Sequence, residues 1–309
     1  MPLDPLLVPL LEVHSSLPPT PEGKSAAERR RERDEARRSA DGSPYARYIE
    51  AAPDVDEVYE DSVPPDGVAV RVYRHGPVSA GTLVYYHGGG WWSGHPDDSD
   101  TRCRTIAAGT GLTVVSVDYR LAPEHRFPAG AEDCYRALEW AAESFGPGWL
   151  GVTGESAGGN LAAVMALLAR ERGGPTLDLQ IMEIPAFDLT LSSPSIATYA
   201  EGYVLTAKEL RWCVENYLGG HDPADPLVSP LFADDLTGLP PAVILTAECD
   251  PLADDGSRYA ARLRESGVPV THVEFEGQVH GSQMLTGLLP VARAWRETLL
   301  DSIRASLKS

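Results

Sequence analysis

Apolar and polar side chains alternate along residues 68–73, the pattern of a strand with one wet face. Beyond it the alternation gives way to denser runs. Residues 82–86, 112–117, 149–153, 179–184, 242–246 and 270–275 are short stretches rich in apolar and β-branched side chains, as strands covered on both faces require. Residues 101–108, 131–143, 157–172, 252–265 and 288–307 lie between or after them and carry helical patterns. Strand and helix alternating in this way predict a mostly parallel sheet with helices on both faces, an α/β fold.

Two segments break the rhythm. Residues 1–50 hold a proline-rich stretch with Pro18, Pro19 and Pro21, followed by a charged helical run ending near Arg38. Ser25 and Glu28 have the spacing of a helix N-cap and its capping box. Residues 188–225 contain a helical stretch near 208–217 and no good strand, and they fall between two core strands. They are expected to form an insertion over the strand ends. The sequence has no internal repeat and no long low-complexity segment.

Charge and composition narrow the range of partners. The formal net charge is -19, with acidic residues spread along the chain. Such a surface repels phosphate backbones and anionic bilayers, so neither a nucleic-acid partner nor docking on a membrane is expected. The one arginine cluster, from Arg29 to Arg38, is interleaved with Glu32, Asp34 and Glu35. It reads as a solvated helix face laced with ion pairs, in preference to a nucleic-acid patch. No apolar stretch reaches the roughly 18 residues of a membrane span, so no stable insertion is expected. Pro5 and Pro9 interrupt the first apolar run, which lacks the basic start and cleavage site of a signal peptide. Cys103, Cys134, Cys213 and Cys249 are far apart with no C-x-x-C pair, which fits neither a zinc site nor a disulfide framework. Buried free thiols, a cytoplasmic chain and no metal are the expectation.

The candidate chemistry starts at Gly154-Glu155-Ser156-Ala157-Gly158, which follows a predicted strand and opens a predicted helix. A turn that tight cannot carry bulky side chains two residues before or after the serine, and glycine meets the demand at 154 and 158. Ser156 is the candidate nucleophile. Ala157 opens the helix, so its N–H is free to donate to a developing oxyanion. A second set of donors comes from His87-Gly88-Gly89-Gly90, which follows the strand ending at Tyr86. A phosphate cradle would need a G-x-x-x-x-G-K-[ST] pattern, which is missing, and a plain flexible turn is the other competing explanation, against which stand Trp91 and Trp92 directly after the glycines. Those two suggest an ordered loop that walls an apolar pocket.

A serine hydroxyl needs an imidazole to take its proton. Of eight histidines, His280 is the best placed, in a short polar loop after the last predicted strand. His272 reads as a surface strand residue, and His14, His75, His95, His125 and His221 sit in loops or polar stretches without suitable neighbours. The orienting carboxylate should leave the end of the preceding strand, which selects Asp250. Asp254 lies a turn further on, where a role at a helix N-terminus is enough to explain it, and Glu248 and Asp255 are weaker alternatives.

Together these residues resemble the hormone-sensitive lipase family of bacterial carboxylesterases, an α/β-hydrolase group. The matching stretches are His87 to Trp91, Asp118-Tyr119-Arg120-Leu121-Ala122-Pro123-Glu124, Gly154 to Asn160, Asp250-Pro251-Leu252-Ala253-Asp254 and His280-Gly281. The resemblance implies an eight-stranded core over residues 51–187 and 226–309, and a helical cap built from residues 1–50 and 188–225. It implies that Gly89, Gly90 and Ala157 supply the oxyanion donors and that Tyr203, Leu205 and Trp212 line the acyl pocket. The segment from Asp118 to Glu124 is implied to brace the loops. The chain departs from the family's commoner pattern at Glu155, where relatives carry aspartate, and at Gln278, Val279 and Ser282, where relatives often have bulkier residues. The expected activity is hydrolysis of short-chain acyl esters through an acyl-enzyme with no cofactor. Amidase, deacetylase or lactonase chemistry with the same triad is the alternative, and a non-catalytic receptor is a third reading. A homodimer is a family expectation only.

Overall fold

The chain's computed structural model describes residues 3–16, 23–38, 45–65 and 67–308. Eight strands form one sheet: β1 (Glu57–Val63), β2 (Val68–Arg74), β3 (Gly81–Tyr86), β4 (Thr113–Asp118), β5 (Trp149–Glu155), β6 (Leu179–Glu183), β7 (Ala242–Cys249) and β8 (Val270–Val279). Their spatial order is β1-β2-β4-β3-β5-β6-β7-β8. β2 runs antiparallel to both β1 and β4, and every pairing from β4 to β8 is parallel.

The described helices are α1 (Val8–Ser16), α2 (Ala26–Arg38), α3 (Asp100–Thr110), α4 (Ala129–Ser144), α5 (Ala157–Arg172), α6 (Pro194–Thr198), α7 (Ala207–Leu218), α8 (Ala253–Glu265) and α9 (Pro290–Ser306). Alternate residues of one strand enter different cores. Val84, Val115, Val152, Met182 and Ile244 join a cluster with α4, α5 and α8. Leu83, Tyr85, Val114, Ile181 and Val243 join another with Ile106 of α3 and Trp295, Leu299 and Ile303 of α9. With both faces dry, these strands need apolar side chains at every position, so their sequences show runs and no alternation.

α5 is the central helix, buried at every residue from Ala157 to Ala169. Four of the described α-helices lie outside the strand–helix alternation: α1 and α2 precede the sheet, and α6 and α7 come between β6 and β7. Both larger ones begin on a capping box. At α2, Ser25 N–H donates to Glu28 (2.8 Å) and Glu28 N–H to the Ser25 hydroxyl (3.3 Å). At α7, Thr206 and Glu209 exchange the same two bonds. Ala26 of α2 packs with Trp92 and with Cys213 of α7. Leu7 and Leu10 pack against Cys249, Val279 and Leu289 near the ends of β7 and β8.

Three features differ from expectation. β1 was not predicted, because its side chains are exposed at every position but Val63 and its sequence carries no buried face. α1 was not predicted either: Pro9 falls at its second position, where a helix has no N–H bond to lose. The arginines of α2 are the third correction. Arg29 and Arg30 are half-buried, on Trp212 and on the carbonyls of Trp92 and Ala122, and Arg33, itself exposed, reaches back to Ser93, so the face expected to be solvated is so only in part. All four cysteines are buried and free. No described helix is long and apolar enough to cross a membrane.

Candidate active site

Ser156 stands between the end of β5 and the start of α5 with φ 54° and ψ -117°, a conformation that costs a non-glycine residue energy and lifts its side chain out of the turn. The flanking glycines make this possible. A Cβ at Gly154 would lie 2.4 Å from the Gly158 carbonyl, and one at Gly158 would lie 1.9 Å from the Tyr86 oxygen. The Ser156 N–H donates to the Glu183 carbonyl at 2.8 Å, which ties the turn to β6.

Asp250 directly follows β7 and His280 directly follows β8, so both reach the carboxyl ends of the parallel strands where Ser156 lies. His280 Nε2 is 3.0 Å from Ser156 Oγ, and Nδ1 is 2.7 Å from Asp250 Oδ2. The carboxylate is 1% exposed, and its other oxygen accepts from the Leu252 N–H at 2.9 Å, which fixes its plane. With Nδ1 engaged by Asp250, Nε2 is the ring nitrogen that faces the serine hydroxyl.

The competing carboxylates have other work. Asp254 accepts from the Ser195 N–H at 2.8 Å and holds α6. Asp255 is buried and accepts from the N–H groups of Phe187 (2.8 Å) and Asp188 (3.0 Å) and from the Ser193 hydroxyl; burial pushes it up to about 7. Glu248 accepts from the Gly277 N–H at 2.7 Å. Among the other histidines, His75, His95 and His221 do face carboxylates, Asp56 at 3.4 Å, Asp97 at 3.1 Å and Asp225 at 2.7 Å. His272 is half-buried, 3.0 Å from the Thr246 hydroxyl, where an exposed residue was expected; β8 presents it to the threonine of its neighbour β7.

The glycine loop is held from behind. His87 is 1% exposed and stacks on Tyr119 with centroids 4.2 Å apart. Burial lowers it to about 4, so it is neutral near pH 7, with Nδ1 2.8 Å from the Gly88 carbonyl. The Tyr119 hydroxyl donates to the His87 carbonyl at 2.8 Å, and Arg120 grips Asp133 through two 2.7 Å bonds. Gly89 has φ +113°, and a Cβ there would lie 2.1 Å from the Ser93 carbonyl oxygen. Among the described residues, the N–H groups of Gly89, Gly90 and Ala157 have no backbone acceptor outside regular structure.

The residues expected at the acyl pocket divide among several clusters. Trp91 is 3% exposed and stacks on Tyr217 at 4.7 Å. Leu205 packs on the main core, and Tyr203 meets Tyr199 edge-on beside the α1 cluster. Trp212 meets Trp92 edge-on at 5.0 Å, under the Arg29 guanidinium. Sequence reasoning missed a polar group beneath the nucleophile. Glu183 ion-pairs with Arg102 and accepts from Trp295 Nε1 at 2.7 Å. The signal was a glutamate inside the apolar run 179–184. Glu155 accepts from Gln283 at 3.3 Å; burial first, then the nearby Glu183 charge, raises its pKa. Among the described residues, no group of three or more His, Cys, Asp or Glu could hold a metal ion.

A mostly parallel sheet with a nucleophile elbow, and a serine–histidine–carboxylate chain at its mouth, define a serine hydrolase. A family model described as the α/β hydrolase fold matches residues 83–284, and the chain belongs to that family. It is 42% identical over 250 residues to the carboxylesterase NlhH of Mycobacterium tuberculosis, covering 76% of this chain and 78% of that one. It is 40% identical over 266 residues to the carboxylic ester hydrolase LipN of the same organism, covering 81% and 71%. The hyperthermophilic esterase of the archaeon Pyrobaculum calidifontis superposes with a TM-score of 0.90 at 36% identity, covering 99% of each chain.

Proposed function

We propose that Ser156, His280 and Asp250 form the catalytic triad and that the N–H groups of Gly89, Gly90 and Ala157 form the oxyanion hole. The protein is a serine hydrolase that cleaves carboxylic esters. The Ser156 oxygen attacks the ester carbonyl while His280 takes its proton. The carbonyl oxygen gains negative charge in reach of the three N–H groups, one such donor typically contributing about 3 kcal/mol. Collapse of the tetrahedral intermediate breaks the bond to the alcohol oxygen, which receives the proton from His280. Water then attacks the acyl-enzyme, with His280 as base, and releases the acid and free Ser156. Asp250 holds the imidazole tautomer and stabilises the imidazolium throughout.

The single observation supporting this assignment is the unbroken hydrogen-bond chain from Asp250 through His280 to Ser156, at 2.7 and 3.0 Å. It also argues against a non-catalytic receptor, which has no use for an activated hydroxyl. The names of the relatives favour esters over amides and lactones. The finer reading is a member of the hormone-sensitive lipase family acting on short acyl chains, with Trp91, Tyr203, Leu205 and Trp212 shaping the pocket and residues 1–50 and 188–225 making the cap. A cytoplasmic setting, which would keep the four buried cysteines as thiols, and a homodimer are proposed with it.

Ser156→Ala is expected to lower 4-nitrophenyl butyrate hydrolysis at least ~1,000-fold in protein with a wild-type melting curve. A fluorophosphonate probe should label the parent chain and leave the variant untouched. Retained turnover in the variant, or a folded parent that resists the probe, overturns the assignment. A panel of acyl lengths, with anilide and lactone substrates beside it, tests the substrate class.

A further inference from the structure

The oxyanion loop is fastened to a helix that precedes the whole sheet. Residues 89–93 close on one acceptor: the Gly89 carbonyl takes the Ser93 N–H at 3.1 Å, the Trp92 N–H at 3.3 Å and the Ser93 hydroxyl at 3.0 Å. Ser93 is 2% exposed, so its hydroxyl has few partners to choose from. It accepts in turn from Arg33 Nη1 of α2 at 2.7 Å. A guanidinium donating to that oxygen polarises its O–H toward Gly89, which strengthens the second bond of the relay.

One turn earlier, Arg30 makes a second fastening. Its Nη1 donates to the Trp92 carbonyl at 2.9 Å and to the Ala122 carbonyl at 3.0 Å, and its other nitrogen ion-pairs with Glu124. Ala122 is itself joined to the loop, donating to the Trp91 carbonyl at 2.9 Å. Arg29 completes the set by lying over Trp212 at 4.1 Å, where Trp212 meets Trp92.

We propose that Arg33 and Arg30 of α2 are positioning residues for the reaction, holding Gly89 and Gly90 so that their N–H groups meet the oxyanion. The inference rests on the serine-hydrolase reading above. Arg33 acts through Ser93 on Gly89, and Arg30 acts through the Trp92 carbonyl; neither touches the reacting atoms. Preorganised donors contribute only if they need not move as charge develops. A loop freed at Ser93 therefore keeps its substrate affinity and loses transition-state stabilisation.

The test uses the full chain with Arg33→Met, Arg33→Lys, Ser93→Ala and the double variant Arg33→Met/Ser93→Ala. Active sites are counted by fluorophosphonate titration, so that misfolded protein does not count as slow enzyme. For Arg33→Met, kcat per titrated site should fall roughly tenfold, less than the ~100-fold or greater cost of deleting an oxyanion donor outright. KM for 4-nitrophenyl butyrate should stay within about twofold. The inhibition constant of a short-chain trifluoromethyl ketone, which forms a tetrahedral adduct, should rise in proportion to the loss in kcat/KM. Arg33→Lys should recover part of the rate, and the double variant should be no slower than its slower parent, since both break one relay. The proposal is overturned by unchanged kcat per site in Arg33→Met, by a change confined to KM, or by a double variant whose losses multiply. Those results leave the parent's turnover and labelling intact, whereas an inert parent would sink the underlying reading.

Discussion

A single hydrogen is all that the Tyr86 carbonyl leaves room for on the α-carbon of Gly158, since a Cβ would come within 1.9 Å of that oxygen. The neighbouring Gly159 is less confined, its nearest contact being the Pro185 side chain at 3.1 Å. Gly158→Ala must push α5 away from β3 and carry Ser156 with it. It is expected to cost on the order of 3 kcal/mol and nearly all esterase activity, with Gly159→Ala losing far less of both; urea melts and initial rates on the two variants check this. The need for glycine at 154 and 158 was legible in the sequence because a strand and a helix meet there with one residue between them. That Asp250, and not Asp254, faces His280 was legible for a related reason: only Asp250 sits where its strand stops. The Glu183–Arg102 pair was not legible, because its partners lie 81 residues apart and neither stands in a motif.

At the scale of elements, what could be read depended on whether a segment owed its form to its own pattern or to its neighbours. The core strands are dry on both faces and announce themselves by composition. β1 pairs along its whole length with β2, yet its exposed side chains follow no apolar pattern, so only the partner strand defines it. The charges of α2 are the same whether the helix faces water or clasps carbonyl groups, and only the tertiary structure separates the two. The junction of α8 with the segment after β6 offers a prediction here. Burial raises Asp255 from 3.8 to about 7, so between those values the folded chain keeps a proton that the unfolded chain releases. Its contribution to stability is therefore complete below the unfolded value and is lost as pH rises through 7. In Asp255→Asn, the amide oxygen can accept the Phe187 and Asp188 N–H groups, and its NH₂ can donate to Ser193. The parent should lose more stability than this variant between pH 5 and 8, by on the order of 2 kcal/mol. Denaturant titrations at both pH values decide it; equal losses would mean that Asp255 is ionised across the range.

For the molecule as a whole, a net charge of -19 surrounds a site whose own carboxylates are nearly all engaged by donors from the chain. The site draws on places far apart in the sequence: the glycine loop after β3, the elbow after β5, the carboxylate after β7 and the imidazole after β8. Ser156 and His280 are 124 residues apart, and β8 is the outermost strand on its side of the sheet. A chain in which β3 to β7 have assembled but β8 has not would bury most of its core and still own an inert hydroxyl. During refolding from urea, recovery of turnover should therefore lag behind recovery of helical circular dichroism, and turnover appearing first would contradict this. Because His280 is carried by an edge strand paired only with β7, the hydrogen-bond chain to Ser156 depends on that one pairing staying in register.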